Sequence, residues 1–140
     1  MLANINIVAV IVSAIAVQVI GMIWYSPALF GKQWSALMGF KEMSPEQVKK
    51  MKEQAKPGYL GVFLSSVILA AVLNVIILLT GSTTVREGLL IAAIAWLGFV
   101  ATVTFTNAIY ANKPLAVYMI DGGYQFVSFL VIAAIVMAWA

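Results

Sequence analysis

The chain has 140 residues, 64% of them hydrophobic and 9% charged, with a net charge of +3 and a mean hydropathy of +1.04. A soluble domain carries about 25% charged residues, so this composition excludes a water-soluble fold and a disordered chain, and eight basic against five acidic residues is too weak an excess for a nucleic-acid binder. The absence of Cys and His removes disulfides, thiol and zinc chemistry, haem with a His or Cys axial ligand, and any Ser-His or Cys-His nucleophile.

A membrane-crossing helix needs about 20 mostly apolar residues, and four stretches meet that length. The first covers residues 5–25 and stops at Ser26-Pro27, because the residue before a proline avoids the helical region. It is too long for a signal-peptide core and no Lys or Arg precedes it, so it reads as a retained helix. The polar segment 32–57 follows. Within it, Ser44-Pro45-Glu46-Gln47 has the spacing of a capping box with Pro at the first helical position. That predicts a short amphipathic surface helix over residues 45–55, with Val48, Met51 and Ala55 as a narrow apolar stripe. The second span, 58–80, stops at Gly81. The third, 85–109, has Thr84 and Glu87 in a second capping-box spacing. The fourth, 115–139, begins after Pro114. The expected fold is an all-α integral membrane protein: one domain over residues 1–140, a four-transmembrane-helix bundle with a short amphipathic cytoplasmic helix.

Charge orients the spans. The segment between spans one and two holds Lys32, Lys41, Lys49, Lys50, Lys52 and Lys56; that between three and four holds Lys113; the opposite side has Arg86. Basic loops stay inside, which puts both loops in the cytoplasm and both termini outside in a multi-pass cell-membrane protein. Trp24, Tyr25, Phe30, Trp34, Tyr59, Tyr110 and Tyr118 gather near the inner boundary and Trp139 near the outer one, as interfacial aromatics do.

Two internal matches suggest a repeat. The segment 25–33 lies over 105–113, with aromatic, hydroxyl, Ala, aliphatic and aromatic residues in the same order. Segment 63–72 lies over 126–135, sharing Phe, Ser and an Ala pair. The two offsets differ by 17 residues, the length of the polar insert 41–57. The chain therefore reads as two copies of a helical hairpin about an axis along the membrane normal. Small residues mark packing faces: Gly88, Ala92, Ala95, Thr102 and Thr106 with Phe99 between them on span three; Ala14, Gln18, Gly21 and Tyr25 on span one; Gly122, Gly123 and Ser128 on span four.

Asp121 is the sharpest polar residue. It lies about 10 Å into span four at 1.5 Å per residue, and an acid there calls for a partner or a water-filled cavity. Tyr118, Asp121, Gln125 and Ser128 share one helical face. Tyr124 and Tyr118 on its own helix, Asn107 and Tyr110 from span three, and Tyr25 or Ser26 from span one are at a similar depth to partner it. Two readings stay open: a structural hydrogen-bond centre, and a ligand or proton site made of Asp121, Asn107, Tyr124, Tyr118, Gln125, Tyr25 and Trp24. Gln18, Asn74 and Asn107 read as interhelical hydrogen-bond formers. No phosphate loop follows Gly31 or Gly39, the seven Met form no ligand-like pair, and no metal or cofactor site is expected.

The run Gly21-Met22-Ile23-Trp24-Tyr25-Ser26-Pro27-Ala28-Leu29-Phe30-Gly31-Lys32-Gln33-Trp34 resembles the signature of the small prokaryotic membrane-protein family called domain of unknown function 1761. Asn107, Tyr110, Lys113-Pro114-Leu115 and the segment from Asp121 to Phe129 are similar to its second signature. The resemblance covers essentially the whole chain. It implies four transmembrane helices and no established activity, so no catalytic residue is carried over.

The functional expectation is a non-enzymatic homo-oligomeric bundle, in contact with membrane lipids and not with nucleic acid. A small-molecule or lipid site lies near its cytoplasmic side. The alternative is a small proton-coupled transporter or channel subunit using Asp121; a lipid- or quinone-directed enzyme is disfavoured because the acid–base inventory of the membrane region is nearly empty. Topology is directly testable. Single cysteines at Gln54→Cys and Ser82→Cys should show the second labelling with an impermeant thiol reagent from outside and the first protected. The reverse pattern overturns the orientation.

Overall fold

The computed structural model describes residues 2–140, and among them there is no strand. A 3-10 turn over Leu2–Asn4 leads into α1 (Ile7–Trp24), whose first turn is capped by Asn6 accepting from the Ala9 amide at 3.1 Å. A short α2 (Gly31–Leu37) and a 3-10 turn (Phe40–Glu42) precede α3 (Pro45–Leu79). Then come α4 (Val85–Ala95), a π-helical segment (Trp96–Ala101), α5 (Thr102–Tyr110) and α6 (Leu115–Ala138). Four helices are long and apolar enough to cross a membrane: α1, α3, the continuous α4–π–α5 rod, and α6. Both capping boxes form: Ser44 with Gln47, and Thr84 with Glu87.

The expected surface helix over 45–55 is not a separate element. It runs without interruption into the second span as the 35-residue α3, with Pro57 inside it. Proline removes the hydrogen bond to the carbonyl four residues back and its ring crowds that carbonyl, which belongs to Glu53. Glu53 and Pro57 are both exposed, so that carbonyl can be satisfied by water. At 1.5 Å per residue α3 is about 52 Å long, roughly 20 Å more than a hydrocarbon core of about 30 Å. Its lysine-bearing third therefore projects beyond the level at which α1 ends.

α6 is the central element. It packs against α1, α3 and α4, and it buries Val117, Ile120, Phe129, Ile132, Ala133 and Val136. Ala9, Val10 and Val17 of α1, Ala70, Leu73 and Ile77 of α3, and Ala92 and Ala95 of α4 complete the core. The outward faces are apolar too, with Ile7, Ile68, Leu97 and Phe99 all exposed. The contacts do not support equivalence of the two hairpins. A twofold axis would make the α1–α6 and α3–α4 interfaces alike, whereas the first is extensive and the second slight.

The seam expected along span three holds over half its length. Gly88, Ala92 and Ala95 are buried, but Thr102 and Thr106 are exposed and Phe99 is 74% exposed, while Ala101 is buried. The π segment causes this. Its wider turn rotates successive side chains by less than an α-turn does, so the 3.6-residue phase of α4 is lost within it. Hydroxyls serve the carbonyls around it: Thr102 Oγ1 donates to Gly98 O and Thr104 Oγ1 to Val100 O, each at 2.7 Å. Between α1 and α3, Gln18 Nε2 donates to Ser66 Oγ at 2.8 Å, the interhelical bond expected of Gln18. Asn74 is buried without a side-chain bond of this kind among those described.

Gly88 marks a close α4–α6 contact, since a Cβ there would lie 2.5 Å from Met137 Cγ. Gly88→Val should lower thermal stability in detergent by about 1–3 kcal/mol through overpacking. Gly61→Ala, where a Cβ would meet nothing within 4 Å, should leave it unchanged or slightly raised. Equal melting temperatures for wild type and Gly88→Val contradict the interface.

Candidate functional site

The site forms where α1 ends. Trp24 and Tyr25 close the helix, and Pro27, with no amide hydrogen, prevents its continuation. The chain then doubles back. Phe30 N donates to Trp24 O at 3.0 Å, Gly31 N to Ser26 O at 2.9 Å, and Ser26 Oγ to Ile23 O at 2.7 Å. Gly31 lies so close to the backbone of Tyr25 and Ser26 that any Cβ would collide with both. This turn starts α2 directly over Tyr25 and brings Trp34, one turn along, against the Tyr25 ring edge-to-face at 5.6 Å.

Both side chains reach Asp121. Tyr25 Oη donates to Asp121 Oδ1 at 2.6 Å and Trp34 Nε1 donates to the same oxygen at 3.1 Å. Bonds to a carboxylate are short and stronger than neutral ones. Trp24 adds a second tie between α1 and α6 by donating Nε1 to Ile120 O at 3.0 Å. Its ring lies over Gly123, where a Cβ would come within 3.0 Å of it. Tyr124 stands edge-to-face against Tyr25 at 5.6 Å and donates to Val17 O at 3.2 Å, passing over Gly21. Small residues at Gly21, Gly31 and Gly123 thus make room for one aromatic cluster.

On the other side of Asp121 is an open cavity of about 270 Å³ between α5 and α6, lined by Asn107, Tyr118, Gln125, Lys113 and Thr104 among others. Asp121 is the only acid in that lining, and its bonded partners are Tyr25 and Trp34. Oδ2 accepts none of the described hydrogen bonds. Among the expected site residues, Asp121, Asn107, Tyr118 and Gln125 line the cavity together, while Tyr25, Tyr124 and Trp24 brace Asp121 from behind. Asn107 is exposed and makes none of the described side-chain bonds, so its expected interhelical bond is absent. Tyr118 donates to Ala101 O at 2.9 Å, at the end of the π segment. Of the proposed partners of Asp121, only Tyr25 bonds it: Tyr110 is 87% exposed and Ser26 bonds its own helix. Trp34 was not among the expected site residues. Its place depends on the close approach of Gly31 to Tyr25 and Ser26, which sets where α2 starts.

Asp121 with an open oxygen, beside amide and hydroxyl groups, can accept from a cation or an ammonium group, with Lys113 in the same lining as the one competing positive charge. Among the described residues no cluster of three His, Cys, Asp or Glu could bind a metal ion. The family model described as "Protein of unknown function (DUF1761)" matches residues 8–137. No curated protein and no solved structure matches the chain.

Gly31→Ala tests the turn. It should lower thermal stability by about 1–3 kcal/mol or more, as forced overpacking does, and should expose Trp34 to acrylamide quenching. Wild-type stability in this variant contradicts the role given to Gly31.

Proposed function

The chain belongs to the DUF1761 family of proteins of unknown function, and from its geometry we propose that it is a non-enzymatic integral membrane protein that binds a small cationic solute at Asp121. One observation carries this reading. The Asp121 carboxylate is fixed on one oxygen by Tyr25 and Trp34, while the other side of the residue lines an open cavity with Asn107 and Gln125. A volume of about 270 Å³ lies at the low end of small-molecule sites, which run from about 300 to 1,000 Å³, and so suits a small amine.

The non-enzymatic reading rests on the inventory. With no His, no Cys and one Asp in the spans, the site has no acid–base pair. The four apolar helices support a membrane bundle, and the distribution of lysines supports a cytoplasmic site with both termini outside. Self-association is favoured by the outward face of α5 and the π segment, where Gly98, Thr102 and Thr106 are exposed. Small residues on a lipid-facing helix permit close helix contact.

The alternative, a proton-coupled carrier or channel subunit, draws on the same open carboxyl inside a span. Against a path through one chain, the half of the molecule away from the lysines is filled by Ile77, Ala92, Ile132 and Ala133, all essentially inaccessible.

Titration calorimetry of the detergent-solubilised protein with ethylammonium and choline chloride tests the proposal. Saturable binding of at least one of these cations should vanish in Asp121→Asn, while the variant still unfolds in one cooperative transition. Binding that persists in Asp121→Asn, or no binding of either amine to the wild type, overturns it. A proton-driven amine flux in proteoliposomes that Asp121→Asn abolishes would establish the carrier reading instead.

A further inference from the structure

Tyr25 and Trp34 each have a second side. Behind them, away from Asp121, a groove of about 770 Å³ runs between α2 and the projecting third of α3. Its floor includes Trp34, Phe40 and Met51, and three charged residues line it: Lys32, Lys41 and Lys52. All three carry the same sign. Glu42, Glu46 and Glu53, the acids of the same stretch, lie outside the lining. The stripe of Val48, Met51 and Ala55, legible in the sequence as an apolar face, is thus turned toward this groove.

The groove does not stand alone. A cleft of about 540 Å³ between α1 and α3 shares Tyr25 and Tyr59 with it and continues past Met22 and Val62. The pair of cavities has a cationic mouth at the lysine-rich end and an apolar extension along two helices that are apolar enough to span a membrane. A soluble anion would use the mouth and leave the extension empty. A zwitterionic headgroup would bring a second cation against three lysines.

We propose that the α2–α3 groove and the adjoining α1–α3 cleft form a binding site for one anionic phospholipid. Its phosphate diester is held by Lys32, Lys41 and Lys52, and an acyl chain lies along Tyr59, Val62 and Met22. Aromatic side chains at headgroup level, here Trp34 and Tyr59, suit this depth. A lipid seated there would press on the face of Trp34 and Tyr25 opposite Asp121.

The test uses the full chain in dodecyl maltoside, with phosphatidylglycerol and phosphatidylcholine of identical brominated acyl chains as probes and tryptophan quenching as the readout. Each lysine near an anionic lipid contributes enough for about a fivefold change in affinity. The wild type should therefore prefer phosphatidylglycerol by roughly 100-fold, and Lys32→Gln/Lys41→Gln/Lys52→Gln should remove that preference. Lys49→Gln/Lys50→Gln/Lys56→Gln, which alters lysines outside the groove, should keep it within about threefold. Equal quenching by the two lipids in the wild type overturns the proposal without recourse to any variant. So does an equal loss in both triple variants, or full competition by glycerol phosphate at concentrations matched to the lipid.

Discussion

An acid placed inside an apolar helix has to be given partners, and the partners given to Asp121 organise one whole end of this molecule. Two donors from outside α6 converge on a single carboxylate oxygen. To bring them there, α1 must end at Tyr25, the chain must reverse at Ser26-Pro27, and α2 must start on a residue without a side chain, Gly31. The result ties α1, α2 and α6 together through Tyr25, Trp34 and Trp24, while the opposite half of the molecule packs an apolar core around Ile132 and Ala133. In a low-dielectric surrounding each such bond weighs more than it would in water, as does the absence of any one of them.

That arrangement separates two chemically different spaces. On one side of the Tyr25–Trp34 pair is a small cavity with one carboxylate, polar amide and hydroxyl groups and a single lysine, Lys113, in its wall. On the other is a larger groove whose charged residues are all lysines. The same two aromatic residues wall both the second space and the acid of the first. A site for a cation and a site for an anionic amphiphile would thus lie back to back across one pair of side chains.

Much of this was legible in the sequence because the cues are local. The two capping boxes, Ser44 with Gln47 and Thr84 with Glu87, fixed two helix starts to the residue. Apolar run length located the four long helices, and the depth of Asp121 in α6 called for a partner, which Tyr25 supplies. What escaped depends on geometry between elements. The change from polar to apolar residues between 55 and 58 reads as a boundary between a surface helix and a span, but α3 runs through it with Pro57 inside. The steady 3.6-residue spacing of span three gave no sign of the π segment, so Phe99, Thr102 and Thr106 were placed inward and lie outward. Trp34 read as one more interfacial aromatic, because nothing local says that α2 folds back over Tyr25. The internal matches share composition, yet the contacts of α3 and α6 are not alike.

The claim that Asp121 holds this end of the molecule together is tested most directly by a double-mutant cycle on thermal stability, combining Tyr25→Phe with Asp121→Asn and, separately, Trp34→Phe with Asp121→Asn. Hydrogen bonds to a charged group are worth about 1.5–3 kcal/mol, and neighbours in one network couple by about 0.5–3 kcal/mol. A coupling in that range for both pairs, larger for Tyr25 with its shorter bond, is the expected result. Additive effects, with no coupling for either pair, would contradict it.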